Sequence, residues 1–418
     1  AANRPGVGIT YSGDDYHRCF WSSGLSEPCS LDPDMSHQPP PQKRAPSLSP
    51  ILVTSAEELT ALLEAICDEP YVAVDTESNS LYAYQERVCL IQLTIPGADY
   101  VVDPLADIEL SPLAHLFADP KVQKIFHAAE YDVMCLRRDF EFQFANLFDT
   151  MWAARILGWP RVGLADVLTE LFDVRTNKRY QRYDWGRRPL PSKALTYASI
   201  DTHYLLPLCH LQTDGLIRKE RWEEAKDVFD RLCTAECDTN GFVPENFWRV
   251  KGAFDLSGRE RAILRDLCIW RDKEARRRDV PHFKVLHDRV LTAIARARPF
   301  TKDELLRIDG IKQYHVRRYG KRILQALDRG IRAPHPTPPP PPRRHSDVEV
   351  ERFEALRVWR KQVAAQREVD VDVIVGNAVL WELAEKTPRT LGELDDIDGL
   401  GTWKRKTYGE GILETLAN

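Results

Sequence analysis

The sequence has no long apolar run, and its cysteines follow no recognisable pattern. No segment approaches the roughly 18 consecutive apolar residues of a membrane-spanning helix, and the polar N-terminus has no signal-peptide pattern. The nine cysteines are odd in number and form neither a CxxC pair nor a zinc-ligand spacing, which is typical of reduced intracellular thiols. These absences argue against a membrane protein, a disulfide scaffold and a zinc–cysteine site, and they predict a cytoplasmic protein with no membrane partner.

The charge is unevenly distributed along the 418 residues, a length that suits two or three domains. Residues 255–332 carry 21 Lys and Arg against 11 Asp and Glu, whereas residues 1–254 and 347–418 are both net negative. A basic block between acidic segments indicates a module that binds a polyanion beside a carboxylate-rich region. A helical domain with solvated arginines is the alternative.

The first part of the chain divides into two regions. Residues 1–48 are rich in Pro, Ser and Asp, and we predict that they are disordered. Residues 49–240 alternate between helix-like and strand-like segments, which favours an α/β domain that ends in helices after Asp149. The predicted helices are Ala56–Cys67, Pro112–Phe117 and Ala129–Arg138, and the predicted strands are Tyr71–Val74, Val88–Thr94, Tyr100–Val102 and Lys124–Phe126.

The C-terminal part contains an internal repeat. Trp270-Arg271 recurs 89 residues later as Trp359-Arg360, and Ile308-Asp309-Gly310 recurs as Ile397-Asp398-Gly399. Matches at one constant offset predict two copies of a small helical domain, over residues 252–332 and 347–418. The Pro-rich residues 333–346 are predicted to be an extended linker between them.

Two acids follow an apolar run in Val72-Ala-Val-Asp75-Thr-Glu77. Alternate residues of a strand project to the same side, so the two carboxylates should lie together. Acids at the end of a buried strand need a cation, and carboxylate oxygens suit Mg²⁺ or Mn²⁺. A solvated acidic turn explains the same pattern, and the motif alone favours that simpler explanation.

Two further elements carry acids. Asp132 lies near the start of a predicted helix, where the helix dipole favours an acid and where Glu130 competes for any metal role. Tyr197 and Asp201 are one turn apart on another predicted helix and therefore share a face. There the acid could bind a metal while the phenol points at a metal-bound water. A surface pair is the simpler explanation of the second motif taken alone.

The order of the three elements resembles the DEDD exonuclease superfamily in its tyrosine-bearing subgroup. The flanking segments resemble ribonuclease D at the same relative places, and the repeated tail resembles the HRDC domain, two of which follow the exonuclease in bacterial ribonuclease D enzymes. The resemblance extends over residues 50–418 and departs from the family at Ala129, where an Asn often stands. The flanking segments are Cys89-Leu-Ile-Gln-Leu93, Phe148-Asp-Thr-Met-Trp-Ala-Ala154, Asp184-Trp185 and Arg188-Pro-Leu190.

The resemblance implies a fold and an activity. The implied fold is an α/β ribonuclease H-like exonuclease domain with a mixed sheet, followed by two all-α HRDC-like helical bundles. The implied activity is that of a 3′–5′ exoribonuclease, which removes 5′-mononucleotides with two divalent metal ions, Mg²⁺ or Mn²⁺. The implied substrate is RNA, in particular precursor tRNA with a 3′ extension, and a monomer is the default expectation.

The resemblance also implies a role for each site residue. Asp75 would bridge the two metals, which lie about 4 Å apart in such sites. Glu77 and Asp201 would hold the metal that activates the attacking water, and Asp132 would help to hold the metal at the leaving 3′ oxygen. Tyr197 would orient the water. Four acids repel a phosphodiester unless metals neutralise them, so we expect the metal-free protein to be inactive.

Other polar residues are weighed against structural roles. We predict that Asp149 caps a helix, that His127 is a satisfied core histidine, that Trp185 anchors a loop and that His203 lies on a helix surface. Arginines interleaved with aromatic residues suit phosphate contacts and base stacking. The candidate substrate contacts are Thr76, Gln92, His127, Arg182, Arg187 and Arg188 in the first domain, and Arg276, Arg277, Arg278, Lys312, Arg317, Arg318 and Lys321 in the first repeat.

The second repeat lacks most of that positive charge. Thr407 stands where the first repeat has Arg318, and Glu410 stands where it has Lys321. We therefore expect the first repeat to hold RNA through its backbone, and the second to pack structurally or to contact protein.

Two alternatives remain open at this point. A 3′–5′ DNA exonuclease would use the same metal site, and nothing in the sequence identifies a group that reads the 2′-hydroxyl. A non-catalytic RNA-binding adaptor is the other alternative, and the presence of all four acids and Tyr197 argues against it.

Overall fold

A computed structural model describes residues 49–176, 178–236, 241–340 and 343–417. The N-terminal segment 1–48, for which disorder is predicted, lies outside the described residues. No helix in the described ranges is both long and apolar enough to cross a lipid bilayer.

A mixed six-stranded sheet forms the centre of the first domain, in the order β1-β4-β3-β2-β5-β6. Strand β3 pairs antiparallel with β2 and β4, while the β1–β4, β2–β5 and β5–β6 pairs are parallel. All eight residues of β3 are buried, as expected for a central strand covered on both faces. The strands are β1 (Ile51–Val53), β2 (Tyr71–Ser78), β3 (Val88–Ile95), β4 (Ala98–Val102), β5 (Gln123–Phe126) and β6 (Leu147–Asp149).

Eight α-helices and one 3-10 helix, Lys178–Arg182, accompany the sheet in the described part of this domain. The first begins at a capping box, in which Ser55 and Glu58 satisfy each other's backbone N–H groups. The predicted helices are confirmed to within two residues at each end. The eight are α1 (Ala56–Ile66), α2 (Leu113–Ala118), α3 (Glu130–Phe140), α4 (Thr150–Leu157), α5 (Leu164–Phe172), α6 (Ser192–His203), α7 (Leu205–Arg218) and α8 (Trp222–Leu232).

The structure corrects the strand predictions in two ways. Strand β2 does not end before its acids but continues through them to Ser78, because Asp75 and Glu77 keep their pairing with β3. Strands β1 and β6 are absent from the prediction, since a three-residue strand is too short to show alternation.

Two helical bundles with the same layout follow, each with its own buried core. Three helices of the second start and end 89 residues after their counterparts in the first, which confirms the repeat. The first bundle contains α9 (Gly258–Arg278), α10 (His282–Val285), α11 (Asp288–Ala297), α12 (Lys302–Leu306) and α13 (Gln313–Arg332). The second contains α14 (Asp347–Arg367), α15 (Val371–Ile374), α16 (Asn377–Lys386) and α17 (Thr402–Ala417).

The two bundles contact the first domain at different places. In the first bundle, Asp279 accepts a hydrogen bond of 3.0 Å from the backbone N–H of Tyr84, in the β2–β3 loop. In the second bundle, Arg367 forms a two-bond ion pair with Glu224 of α8. The side chain of Glu224 is fully buried, so the second bundle packs against the first domain, in agreement with its predicted structural role.

Candidate active site

The four predicted acids come from three elements that meet at the middle of the sheet. Asp75 and Glu77 lie on β2, opposite Gln92 and Leu90 of β3. The parallel partner β5 pairs with β2 only as far as Ala73, so β2 extends past the end of β5, and helix α3 begins just beyond that end. Helix α6 packs across β2, β3 and β4. The acids therefore lie where the central strand β2 extends beyond the end of its neighbour β5.

Helix α3 brings Asp132 to this place. Its carboxylate is buried and accepts a hydrogen bond from the hydroxyl of Thr76, which stands between the two acids of β2. The turn before α3 is held by Asp149, whose carboxylate accepts from the backbone N–H groups of Ala128 and Ala129. Asp149 also accepts from two N–H groups at the start of α4, so its predicted capping role is confirmed. Thr76, a predicted substrate contact, instead uses its hydroxyl to hold an acid.

Burial and mutual repulsion raise the pKa values of the acids. Burial raises the pKa of Asp75 well above its usual range, and the charges of Asp132, Asp201 and Glu77 add to this. Burial, together with Asp201 and Asp132, likewise raises the pKa of Glu77 well above its usual range, opposed by a hydrogen bond from Trp185. Since repulsion of this kind requires short separations, the four acids form one electrostatic cluster.

Asp132 and Asp201 are each shifted close to neutrality. Burial raises the pKa of Asp132 to about 7, although the hydrogen bond from Thr76 opposes the shift. Burial also raises the pKa of Asp201 to about 7. Near pH 7 the cluster therefore holds protons that ordinary carboxylates would have lost.

Tyr197 lies one turn before Asp201 on α6 and is part of an aromatic group. Its ring is stacked at 6.3 Å from that of Trp185 and lies 5.4 Å from that of Tyr180. Burial raises the pKa of the phenol, and the charges of Asp201, Glu77 and Asp75 raise it further. The phenol is therefore a hydrogen-bond donor at neutral pH, next to the acid cluster.

The donor set of this cluster fits hard divalent cations. Its ligand atoms are carboxylate oxygens without a competing cysteine, and Mg²⁺ and Mn²⁺ prefer such atoms. A positive charge would also offset the repulsion that raises the pKa values. Among the described residues no three acidic, histidine or cysteine side chains already stand in metal-binding geometry.

Three residues near the cluster have structural roles. The Nδ1 atom of His127 is 2.9 Å from the hydroxyl of Thr150, and burial lowers the pKa of this histidine to about 4. His203 lies 2.9 Å from a carboxylate oxygen of Asp99. Trp185 is 2% exposed, which confirms it as an anchor, and its hydrogen bond to Glu77 was not predicted. No local sequence signal identifies that bond, because the two residues are far apart in the chain.

Two predicted substrate contacts are placed differently by the structure. Gln92 is fully buried opposite Asp75, where no substrate can reach its side chain. The guanidinium of Arg188 forms an ion pair with Asp103 at 2.5 Å and donates to the carbonyl oxygens of Cys89 and Trp185. These bonds use Arg188 to fix the loop before α6, so it is not free for phosphate. Arg182 and Arg187 are exposed.

The predicted cations of the first bundle lie at the end of α9 and along α13. Arg277 is paired with Glu274 at 2.6 Å, and Arg276 lies over the ring of Tyr84 at 5.3 Å. Arg278 donates to the hydroxyl of Tyr319. The remaining four, Lys312, Arg317, Arg318 and Lys321, are exposed.

Comparison with known proteins agrees with this architecture. Residues 50–214 match the family of 3′–5′ exonuclease domains, and residues 260–327 and 349–416 each match the HRDC domain. The catalytic core of RRP6 from Trypanosoma brucei superimposes with a TM-score of 0.61 at 28% identity, over 68% of this chain and 80% of that chain. Escherichia coli RNase D shares the fold, with a TM-score of 0.66 at 24% identity, over 88% of this chain and 99% of that chain.

Sequence comparison gives the family. Ribonuclease D of Nitrobacter hamburgensis is 28% identical over 371 residues, which cover 87% of this chain and 94% of that protein. Ribonuclease D of Gluconacetobacter diazotrophicus is 32% identical over 306 residues, which cover 69% of this chain and 77% of the relative. With the exonuclease domain, the paired HRDC domains and relatives of this similarity, the chain belongs to the ribonuclease D family of 3′–5′ exoribonucleases.

Proposed function

We propose that the protein removes 5′-mononucleotides from RNA 3′ ends with two divalent metal ions, Mg²⁺ or Mn²⁺, held by Asp75, Glu77, Asp132 and Asp201. The observation that carries this proposal is the convergence of four acids from β2, α3 and α6 at one place in the sheet, where burial and then three neighbouring acids raise the pKa of Asp75. Cations bound between these acids would offset their mutual repulsion, so we interpret the cluster as a cation site. When bound, the metals would supply an activated water and neutralise the phosphate.

The side chains around the acids have distinct tasks in this proposal. Tyr197 holds its proton and donates a hydrogen bond that orients the attacking water. Trp185 donates to Glu77 and keeps that carboxylate in place. Thr76 does the same for Asp132. Such outer contacts fix the ligand atoms before substrate arrives.

We propose precursor tRNA with a 3′ extension as the substrate. The reasons are membership in the ribonuclease D family and the basic first bundle beside the exonuclease domain, which suits a structured RNA larger than the catalytic cleft. The proposed division of the chain is an exonuclease domain over 49–240, HRDC-like bundles over 252–332 and 347–418, and a linker over 333–346. We propose that the protein acts as a cytoplasmic monomer.

The test follows a 5′-labelled tRNA with a short 3′ extension in Mg²⁺, beside an EDTA control and the Asp75→Ala variant. We expect a ladder that shortens from the 3′ end and is reduced roughly 10³-fold or more in both controls, because metal-based stabilisation contributes several kcal/mol. A matched DNA oligomer is run in parallel. Shortening of the DNA alone would replace RNA by DNA as substrate, and salt-sensitive RNA binding without any cleavage would indicate a binding adaptor.

A further inference from the structure

The two helical bundles present the same face in two different situations. Arg278 and Tyr319 of the first bundle stand 89 residues before Arg367 and Tyr408 of the second. In each bundle the arginine guanidinium donates a hydrogen bond to the tyrosine hydroxyl. The face around this pair is covered by the exonuclease domain in the second bundle.

Two carboxylates of helix α8 occupy the face in the second bundle. Glu224 accepts two hydrogen bonds from the guanidinium of Arg367. Asp227 accepts one of 3.3 Å from the backbone N–H of Trp403, in the first turn of α17. Glu224 and Asp227 are one turn apart, so this face holds two neighbouring anionic groups, one on an arginine and one on a helix N-terminus.

The first bundle has the same two groups, an arginine paired with a tyrosine and a helix N-terminus. Among the described residues Arg278 forms no ion pair, although its charge helps to lower the pKa of the nearby Glu274. No acceptor is found there for the backbone N–H of Tyr314, the counterpart of Trp403. Tyr314 is 51% exposed, and Lys312 at the start of α13 is exposed beside it. Both anion-binding elements that the second bundle uses are therefore present and open.

We propose that this face of the first bundle binds two neighbouring phosphates of the RNA substrate. One phosphate lies on Arg278, the other lies at the N-terminus of α13 with Lys312, and a base stacks on Tyr314. The proposal rests on RNA being the substrate, and it adds a specific binding site outside the catalytic cluster.

Position 312 favours RNA over an acidic protein helix. Its counterpart is Gly401, where an added Cβ atom would clash with the carboxylate of Asp227. A side chain at this position would therefore displace that carboxylate from the start of α17. Lys312 has a side chain at this position, and its ammonium is a charge suited to a phosphate. The first bundle also gains positive charge on α13 through Arg318 and Lys321, which replace Thr407 and Glu410.

The face lies beside the junction with the exonuclease domain. Asp279, which follows Arg278, accepts the hydrogen bond from Tyr84 of the β2–β3 loop. That loop leaves β2 directly after the residues of the acid cluster. RNA held on Arg278 is therefore next to the segment that carries the catalytic strand.

The experiment measures RNA binding by the full-length protein in EDTA, by fluorescence anisotropy of a labelled stem-loop with a single-stranded 3′ tail. Two variants are compared with wild type: Arg278→Gln/Lys312→Gln, and Lys312→Gly, which leaves the bond between Arg278 and Tyr319 intact. We expect the double variant to weaken binding about 10-fold and to lower the slope of log affinity against log salt by about 1.4, near 0.7 for each phosphate that is no longer neutralised. Lys312→Gly should lower the slope by about 0.7.

The matched control is Arg289→Gln/Arg296→Gln, which removes two exposed charges elsewhere on the same bundle. An equal loss of affinity in both double variants, or no change of slope in Lys312→Gly, overturns the proposal. A third result also overturns the proposal: a synthetic peptide with the sequence of Trp222–Leu232 binds the protein and RNA does not displace it. The face would then bind an acidic helix and not RNA. Binding is measured in EDTA, where no RNA is cleaved, so it is independent of catalysis. If the wild type binds RNA as expected here but yields no ladder in Mg²⁺, the proposed catalysis is contradicted and the proposed binding site is not.

Discussion

The hydroxyl of Thr76 donates a hydrogen bond to the carboxylate of Asp132, a residue 56 positions later in the chain. The bond joins strand β2, which carries Asp75 and Glu77, to the first turn of α3. It also opposes the rise in the pKa of Asp132 that burial causes. One side chain thus connects the strand that carries Asp75 and Glu77 to the helix that carries Asp132, and it keeps Asp132 easier to ionise.

Replacing Thr76 by Val removes this hydroxyl while preserving the shape of the side chain. We expect the Mg²⁺ concentration for half-maximal activity to rise roughly 10-fold, as is usual when a hydrogen bond to a metal ligand is removed. The pH needed for activity should also move upward, because Asp132 loses a hydrogen bond that favours its ionised form. Mg²⁺ titrations of cleavage at several pH values test this. Thr76→Ser keeps a hydroxyl and should behave as wild type, and an equal effect in both variants would contradict the assignment.

The acid cluster predicts how stability depends on pH. Asp132 and Asp201 have pKa values of about 7 in the folded protein, against about 3.9 in an unfolded chain. Between these values the metal-free folded state binds protons that the unfolded state has lost, so the free energy of unfolding falls as pH rises from about 4 to about 7. Mg²⁺ should therefore raise the melting temperature more at pH 7.5 than at pH 5.5.

Thermal melts with Mg²⁺ and with EDTA at both pH values measure this difference. Asp201→Asn cannot ionise at that position and should show a smaller pH dependence of the Mg²⁺ effect. A Mg²⁺ effect of equal size at both pH values would show that the acids do not titrate in this range.

Tyr197→Phe isolates the phenol of α6. We expect kcat to fall roughly 100-fold with little change in KM, since the hydroxyl is proposed to act on the attacking water and not on bound RNA. The ring contacts with Trp185 and Tyr180 are retained by Phe, so stability should be unchanged. Steady-state kinetics on a short RNA checks the ratio of the two constants. A rise in KM alone would assign Tyr197 to substrate binding.

The buried ion pair between Glu224 and Arg367 predicts a large effect on docking of the second bundle. Glu224→Gln leaves the charge of Arg367 poorly compensated at this interface and should destabilise the docked state by about 3 kcal/mol. Urea unfolding and limited proteolysis of the linker measure this destabilisation. Glu223→Gln, an exposed neighbour on the same helix, is the control and should change little. If the double variant Glu224→Gln/Arg367→Met lowers the free energy of unfolding by the sum of the two single variants' effects, the two residues are not energetically coupled.

Local spacing explains which parts of the structure were predictable. Asp75 and Glu77 share one side of a strand and Tyr197 and Asp201 share one face of a helix, so sequence alone groups each pair. The constant offset of 89 residues likewise predicts that the second bundle repeats the helices of the first. The mixed sheet and the paired bundles followed from these patterns together with the family resemblance.

Contacts between distant residues were not predictable in this way. Arg188 was predicted to contact RNA because it stands among aromatic residues, but it is bound to Asp103, 85 positions earlier. Gln92 has the polarity of a substrate contact, and only the packing of α6 on β3 shows that it is buried. Since such partners are set by tertiary packing, a residue's type and local neighbours do not reveal them.

Position 401 bears on the history of the repeat. Tandem copies of a sequence arise by duplication and begin identical, so the two bundles were once equally suited to either task. A glycine at this position leaves room for the carboxylate of Asp227, whereas the lysine of the other copy puts a side chain in that place. A difference at this one position therefore bears on which copy can dock against helix α8.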